Sequence, residues 1–144
     1  MSVHTKTILF DDIPLEFIET EIELQKIASK YDFVPNIIDI ETGSEKCIIK
    51  MENIEALNLA DKYGDKPEDI PEHIWPEIRK ILTILLEEEG IEYVDITAYN
   101  FIEKDDKIYI IDFGDAYYTD LIDINPFLND FIYKGVNEWN PEFE

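Results

Sequence analysis

The segment from Pro71 to Ala116 constrains the fold of this chain more than any other. Its first part carries apolar residues every three to four positions as far as Glu89 and ends at Gly90, which predicts a long helix with one buried face. Its second part contains two apolar runs separated by a charged turn at 103–106, which predicts a β-hairpin. A long helix that leads into a hairpin indicates a mixed α+β fold.

Three polar side chains stand out in this segment because their neighbours are apolar. Asp95 and Asn100 lie in the loop that leaves the predicted helix, and Asp112 ends the second strand of the hairpin. The hairpin therefore brings two carboxylates and one amide to the same end. Hard oxygen ligands of this kind suit Mg²⁺, which prefers one or two protein ligands together with phosphate oxygens and waters.

The spacing of these residues resembles that of the protein-kinase-like superfamily, in which a catalytic loop H-R-D-L-x-x-x-N is followed by a hairpin and D-F-G. Here the loop reads YVDITAYN, from Tyr93 to Asn100, and the second motif is complete at Asp112-Phe113-Gly114. The run IIDFGDA is more similar to the atypical and small-molecule branches than to the main eukaryotic protein kinases. The resemblance covers roughly residues 5–120.

The front of the chain is similar to the small lobe of the same superfamily. Strand-like runs are predicted at 5–10, 37–40 and 47–51, because each is rich in β-branched or aromatic residues and bounded by turn residues. Between the first two runs, an approximate helical period from Ile18 to Ala28 predicts a helix that ends by residue 31.

The resemblance assigns an ion pair to this region. The predicted helix looks like the αC helix of the superfamily, and Glu21 occupies the position whose carboxylate pairs with the ATP-binding lysine. Glu19 and Glu23 are the alternatives if the helix has another register. Lys6 is the candidate lysine, because only His4 accompanies it as a basic residue before the helix. The alternative for Lys6 is an ordinary exposed strand residue.

The resemblance also implies a nucleotide-binding set. The run IIKMENI is similar to the fifth strand and hinge, where backbone groups of Glu52 and Ile54 would meet an adenine. Phe113 and Gly114 complete this set as part of the D-F-G motif. The implied ligands are ATP and Mg²⁺.

Catalytic roles follow from the resemblance residue by residue. Asp95 would accept the proton of the substrate hydroxyl, Asn100 would hold one Mg²⁺, and Asp112 would bridge Mg²⁺ to the phosphates. The structural alternatives are that Asp95 caps a loop and that Asn100 is a turn residue.

The implied architecture is a truncated protein-kinase-like bilobal fold, with a small N-lobe sheet and αC-type helix and a reduced C-lobe of long helix and hairpin. We expect a single kinase-like domain over 1–144. It divides into a reduced N-lobe and hinge at 1–60, a linker at 61–71 rich in turn residues, and a reduced C-lobe at 72–144.

The chain departs from the superfamily pattern in three places. Five residues precede Lys6 and none of them is a glycine, so we expect no Gly-rich loop over the phosphates. Tyr93 and Val94 replace the usual His and Arg. Residues 115–144 contain no A-P-E motif, so we expect one short helix packed on the hairpin rather than a peptide-docking subdomain.

Composition narrows the classes of partner. The net charge of −22 and pI near 4.2 argue against direct binding to nucleic acid or an anionic membrane. The single cysteine, Cys47, excludes an internal disulfide and fits a reducing compartment. The longest apolar patch, residues 81–86, is too short to span a bilayer. We therefore expect a cytoplasmic protein.

Three functions remain open from the sequence. The first is an atypical, minimal kinase-like phosphotransferase that depends on ATP and Mg²⁺, for which Asp95, Asn100 and Asp112 are all present. The second is a catalytically inactive pseudokinase that acts as a protein-binding module with a protein partner. The third is an acidic mimic of nucleic acid, which the charge allows.

Overall fold

The computed structural model describes residues 2–143 and confirms the α+β class. In this range the strands are β1 (Val3–Leu9), β2 (Ile37–Thr42), β3 (Lys46–Glu52), β4 (Ile91–Glu92), β5 (Phe101–Lys104), β6 (Lys107–Ile110) and β7 (Tyr117–Tyr118). The helices are α1 (Leu15–Ala28), α2 (Leu59–Lys62), α3 (Ile74–Glu89) and α4 (Pro126–Tyr133), with 3₁₀ turns at Pro67–Asp69 and Ala98–Asn100.

The first sheet is antiparallel, with strand order β1-β3-β2. Its inward side chains form a small apolar cluster in which Ile8, Cys47 and Ile49 pack against Ile18 of α1. Alternation along β3 produces this arrangement, because every second residue of a strand faces the same side. One face of α1 is thereby fixed against the sheet.

A second and larger apolar cluster surrounds α3. Seven side chains of α3 are buried, as the helical period predicted, and the β5–β6 hairpin and α4 pack around them. Leu24 and Ala28 reach this cluster from the C-terminal half of α1, whereas Ile18 belongs to the smaller one. Helix α1 therefore connects the two cores.

The predicted boundaries differ from the structure in a few places. Helix α3 begins at Ile74 rather than Pro71, because Pro71 only starts a turn in which its carbonyl accepts a bond from the Ile74 N–H at 3.1 Å. The short α2 and the two-residue pair β4–β7 were not predicted. Elements of two to four residues leave too little periodicity in a sequence to be detected.

The C-terminal helix forms as predicted but packs against α3. The Arg79 guanidinium of α3 donates to the Phe131 carbonyl at 2.7 Å and lies 5.0 Å from the centre of the Phe131 ring. The hairpin is instead contacted by Trp139, whose ring stacks on that of Phe101 at 6.5 Å and lies tilted against that of Trp75 at 4.5 Å. Both tryptophans are buried.

The segment at 61–71 is tied to the hairpin. Its first two residues belong to α2, and the Lys62 ammonium and Tyr63 hydroxyl donate to the Glu103 carboxylate of β5 at 2.7 and 2.5 Å. Hydrogen bonds to a buried carboxylate restrict this segment more than its composition indicated. Within residues 2–143, no helix is long and apolar enough to cross a membrane.

Gly90 ends α3 in the left-handed conformation, with φ of 67°. We expect Gly90→Ala to lower the free energy of unfolding by about 1 kcal/mol, because a Cβ is disfavoured in this conformation. The Cβ itself has room, since its nearest neighbour, the Thr119 methyl, would lie at 3.8 Å. A melt should show a drop of about 3 °C.

The matched control is Gly43→Ala, in the β2–β3 turn. Gly43 has no positive φ, and its Cβ would meet the Lys46 carbonyl at an ordinary 3.5 Å. We expect its melting temperature to stay within about 1 °C of the parent. An equal drop in both variants would show that backbone handedness at Gly90 does not set the helix end.

Candidate functional site

Lys6 joins two carboxylates from distant parts of the chain. Its Nζ donates to Glu21 Oε2 of α1 at 2.6 Å and to Asp112 Oδ1 at 3.3 Å. The Glu21 side chain is 4% exposed and that of Asp112 is 43% exposed. Neither alternative to Glu21 takes part, and Glu23 instead accepts a bond from the Tyr118 hydroxyl. The structure therefore brings Lys6, Glu21 and Asp112 together.

A tight turn holds Asp112 in place. Asp112 has a φ of 63°, and its Oδ1 accepts a bond from the Gly114 N–H at 3.0 Å. A Cβ at Gly114 would lie 3.1 Å from Asp112 Oδ1 and 3.3 Å from Glu21 Oε1. A larger residue at 114 would therefore push against the ion-pair cluster, which explains the glycine physically.

The loop between β4 and β5 places Asp95 and Asn100 together. The Asn100 side chain is buried, and its Nδ2 donates to the Asp95 backbone carbonyl at 2.9 Å. The Asn100 backbone carbonyl accepts a bond from the Ile111 N–H at 3.0 Å, immediately before Asp112. The loop and the end of the hairpin are thus joined through Asn100.

Charge and burial shift the pKa of several groups here; burial raises that of the Glu21 carboxyl, and the charge of Lys6 opposes this shift. Burial raises the pKa of the Asp95 carboxyl to about 6; a hydrogen bond with Asn100 opposes the shift and the charge of Asp112 adds to it. Burial lowers the pKa of Lys6, but the charges of Asp112 and Glu21 outweigh it, so the net pKa is raised. At neutral pH Lys6 is a cation, and Asp95 is close to its own titration range.

The aromatic rings of Tyr93 and Phe113 pack behind the site. The Tyr93 hydroxyl donates to the Ile111 carbonyl at 2.6 Å, and its ring meets the fully buried Phe113 ring edge-on at 5.4 Å. Tyr93 thus replaces the usual histidine of the loop with a larger side chain that spans from the loop to the D-F-G turn. The sequence showed that Tyr93 departs from the superfamily pattern. It could not show the hydrogen bond to Ile111, because that bond depends on tertiary contacts.

A cleft of about 490 Å³ opens between the first sheet and the hairpin. Lys6, Glu21, Asn100 and Asp112 lie at its polar end. The rest of the lining is largely apolar and also includes residues 52–54 and the polar side chains of His4, Gln25, Asn58 and Asp61. Its apolar members include Met51, Ile54, Ala56, Leu57, Ile102 and Ile111. A cavity with an apolar wall and a few convergent polar groups is typical of a small-molecule site.

The residues predicted to contact adenine line the cleft, but each already uses one backbone group in a hydrogen bond. The Glu52 N–H already donates to the Asn36 carbonyl at 3.0 Å, and the Ile54 carbonyl accepts a bond from Ala56 at 2.8 Å. Both residues nevertheless line the cleft. Asp95 and the buried Phe113 do not line it. In their predicted roles, Asp95 and Phe113 would therefore act from outside the lining of the cleft.

The polar end offers oxygen ligands suited to Mg²⁺. The Nδ2 of Asn100 is bound to a carbonyl, which leaves its Oδ1 as an oxygen ligand, and the bonds to Asp112 fall on Oδ1. Among residues 2–143, no group of three or more His, Cys, Asp or Glu side chains could hold a metal by itself. Two oxygens with phosphate and water as further ligands fit Mg²⁺ rather than a metal that needs a complete protein cage.

Comparisons with known proteins identify the family. A model of the RIO domain matches residues 16–132. The KEOPS complex subunit Bud32 of Pyrococcus abyssi (strain GE5 / Orsay) is 32% identical over 90 residues, which are 62% of this chain and 40% of that protein. The chain therefore spans less than half the length of this relative.

These similarities confirm the resemblance to the protein-kinase-like superfamily, and the smaller and larger apolar cores described above match a truncated kinase-like bilobal fold. The matched residues include Glu21, Asp95, Asn100 and Asp112, whereas Lys6 lies before them. This chain belongs to the RIO domain family of atypical kinase-like proteins.

Proposed function

We propose that this chain binds ATP in the cleft and transfers its γ-phosphoryl group to an acceptor hydroxyl in a reaction that depends on Mg²⁺. The observation that carries the proposal is the convergence of Lys6, Asn100 and Asp112 in a cleft whose other lining is largely apolar. The acceptor oxygen forms a bond to the γ-phosphorus as the bond to the bridging oxygen of ADP breaks. The proton of the acceptor hydroxyl passes to the Asp95 carboxylate.

Each side chain has a physical task in this reaction. Lys6, held by Glu21 at 2.6 Å, offers its ammonium to phosphate oxygens. Asp95 is positioned beside the polar end through Asn100 and accepts the proton that the acceptor loses. Phosphoryl transfer needs little covalent help from the protein, so positioning and charge neutralisation supply most of the catalysis.

Asn100 and Asp112 would hold Mg²⁺ when it is bound, and the ion would neutralise charge on the phosphates. The Asn100 amide is fixed for this task by its bond to the Asp95 carbonyl. Asp112 is fixed by the Gly114 N–H. Both side chains are therefore ordered before the ion binds, which lowers the entropic cost of binding.

The apolar end of the cleft is proposed to receive the adenine. Met51, Ile102 and Ile111 provide apolar contact area, and residues 52–54 also line the cleft. The Glu52 and Asn53 N–H groups and the Ile54 carbonyl are already hydrogen-bonded, so the base would meet other backbone groups of this segment.

A second candidate function is a protein-binding module. Leu121 and Ile122, in the loop after the D-F-G turn, are 65% and 82% exposed, and the turn that displays them is held by Thr119 and Asp120. Exposed apolar side chains on an ordered loop favour contact with another protein. The relative from Pyrococcus abyssi is named as a subunit of a complex, which supports a protein partner for this chain.

We expect Asp112→Asn to abolish stabilisation by MgATP. Ligand at a hundred times its dissociation constant adds about 2.7 kcal/mol to the free energy of unfolding, and loss of the carboxylate removes an ionic Mg²⁺ ligand. Asparagine is the right substitution because it tolerates the left-handed backbone of Asp112 at φ 63°. A thermal melt with and without millimolar MgATP measures the effect.

The control for this melt is Asp39→Asn, an exposed position on β2 with the same change of charge. It should keep the full shift. A shift that survives in Asp112→Asn would contradict a nucleotide site at the D-F-G turn. A parent protein that shows the shift but transfers no phosphate would favour the protein-binding module.

We expect Asp95→Asn to reduce phosphoryl transfer by about 10²- to 10⁴-fold, because it removes the general base. The MgATP melting shift should persist, since Asp95 does not line the cleft. Transfer from radiolabelled ATP to the protein itself, to generic proteins and to small alcohols provides the measurement. Equal loss of binding and transfer would count against a base role for Asp95.

The same variant should be more stable than the parent at pH 8 in the metal-free protein. A carboxyl whose pKa is about 6 when folded, against 3.8 as its ordinary value, costs stability above pH 6 and nothing below about pH 4. The shift corresponds to at most about 3 kcal/mol, which solvent screening of this partly exposed group reduces to about 1–2 kcal/mol. Denaturant unfolding from pH 8 to pH 4.5 should show the gain shrinking; a gain independent of pH would refute it.

A further inference from the structure

Asn140 lies far from the D-F-G motif in sequence but contacts the Asp95 loop. Its side chain is 1% exposed. Its Nδ2 donates to the Val94 carbonyl at 2.9 Å, and its backbone N–H donates to the Ile96 carbonyl, also at 2.9 Å. These two carbonyls flank Asp95 on either side. Asn140 therefore forms two hydrogen bonds to the backbone around Asp95.

The loop has three consecutive carbonyls that need such partners. The Val94 and Ile96 carbonyls accept bonds from Asn140, and the Asp95 carbonyl accepts one from the Asn100 side chain at 2.9 Å. The Val94 carbonyl also accepts a second bond, from the Ile96 N–H at 2.8 Å, whereas Asn140 is the backbone donor to Ile96. A non-helical loop cannot satisfy these groups by a regular ladder, and unpaired buried carbonyls are costly. Two asparagines together fix the backbone that carries the Asp95 carboxylate.

The segment that carries Asn140 is itself firmly attached. Trp139, next to it, is buried between Trp75 of α3 and Phe101 of β5. Further back, Arg79 Nη2 donates to the Val136 carbonyl at 3.3 Å and to Asn137 Oδ1 at 2.6 Å. Asn140 Oδ1 accepts a bond from the Glu142 N–H at 3.1 Å, which fixes the orientation of its amide. The Asn140 amide is thus held in place from two sides.

We propose that Asn140 is a positioning residue for Asp95: it locks the backbone of residues 94–96 so that the Asp95 carboxylate faces the acceptor hydroxyl. The inference rests on the proposed phosphoryl transfer. It also adds a residue outside the match to the RIO domain, which ends at residue 132. Residues 136–142 therefore support the site through these contacts.

The test is Asn140→Asp, which keeps the size of the side chain but replaces the amide donor with an oxygen that repels the Val94 carbonyl. A shift of a reacting group by about 1 Å can cost up to about 10²-fold in rate. We expect kcat to fall at least about tenfold while KM for ATP stays within about twofold, since Asn140 does not line the cleft. A kcat within about twofold of the parent would overturn the proposal.

Asn137→Ala is the matched control. It removes an asparagine contact from the same segment, but one that is made to Arg79 rather than to the loop. Its kcat should equal that of the parent. If both variants lose kcat equally, attachment of the whole segment matters and the specific role of Asn140 is wrong.

Hydrogen–deuterium exchange provides a measurement independent of catalysis. In Asn140→Asp the amides of Ile96 and Asn100, which donate to Val94 and Thr97 at 2.8 and 3.2 Å, should exchange faster than in the parent. Those of α3 should not change. If exchange is faster in this variant but the parent transfers no phosphate, Asn140 does fix the backbone of residues 94–96 and the proposed function is wrong. Unchanged exchange would overturn the role of Asn140.

Discussion

The contacts of Lys6 with Glu21 and Asp112 are the interaction on which the rest of the site depends. They join residues separated by 15 and 106 positions in the chain. Glu21 is 4% exposed, and a buried carboxylate without a partner would cost several kcal/mol. The Lys6 ammonium therefore supplies the partner that lets α1 pack against the sheet with the face that carries Glu21 buried.

The two apolar cores fix the orientation of α1 that places Glu21 next to Lys6. Helix α1 contributes Ile18 to the smaller core and Leu24 to the larger one, and Glu21 lies between them on the same buried face. A rotation of α1 that moved Glu21 into solvent would withdraw both apolar side chains as well. Packing and charge thus select the same helix register, and the polar end of the cleft lies at the junction of the two cores.

The sequence was informative where periodicity or spacing carried the signal. The period of α3, its end at Gly90 and the two hairpin strands follow from local chemistry. The pairing of Lys6 with Glu21 was expected from resemblance, and the structure joins their side chains, while their function stays a prediction. Asn140 left no signal, because its importance comes from carbonyls at residues 94 and 96 that are remote in sequence. The packing of α4 on α3 was missed for a related reason: amphipathicity shows that a helix buries a face but not against which element.

Charge sets a condition on any nucleotide that enters the cleft. The described lining includes the carboxylates of Glu21, Glu52, Asp61 and Asp112, with Lys6 as its one lysine, in a chain of net charge −22. Lys6 is already paired with two of these carboxylates, so its ammonium can bond to a phosphate oxygen but leaves the polar end without a net positive charge. The field of the protein would oppose the free nucleotide, and more so at low ionic strength. Divalent cations that enter with the phosphates would reverse this balance, and Asn100 and Asp112 present the oxygens that would receive them. In the proposed function Mg²⁺ is thus a requirement for nucleotide binding as much as for transfer.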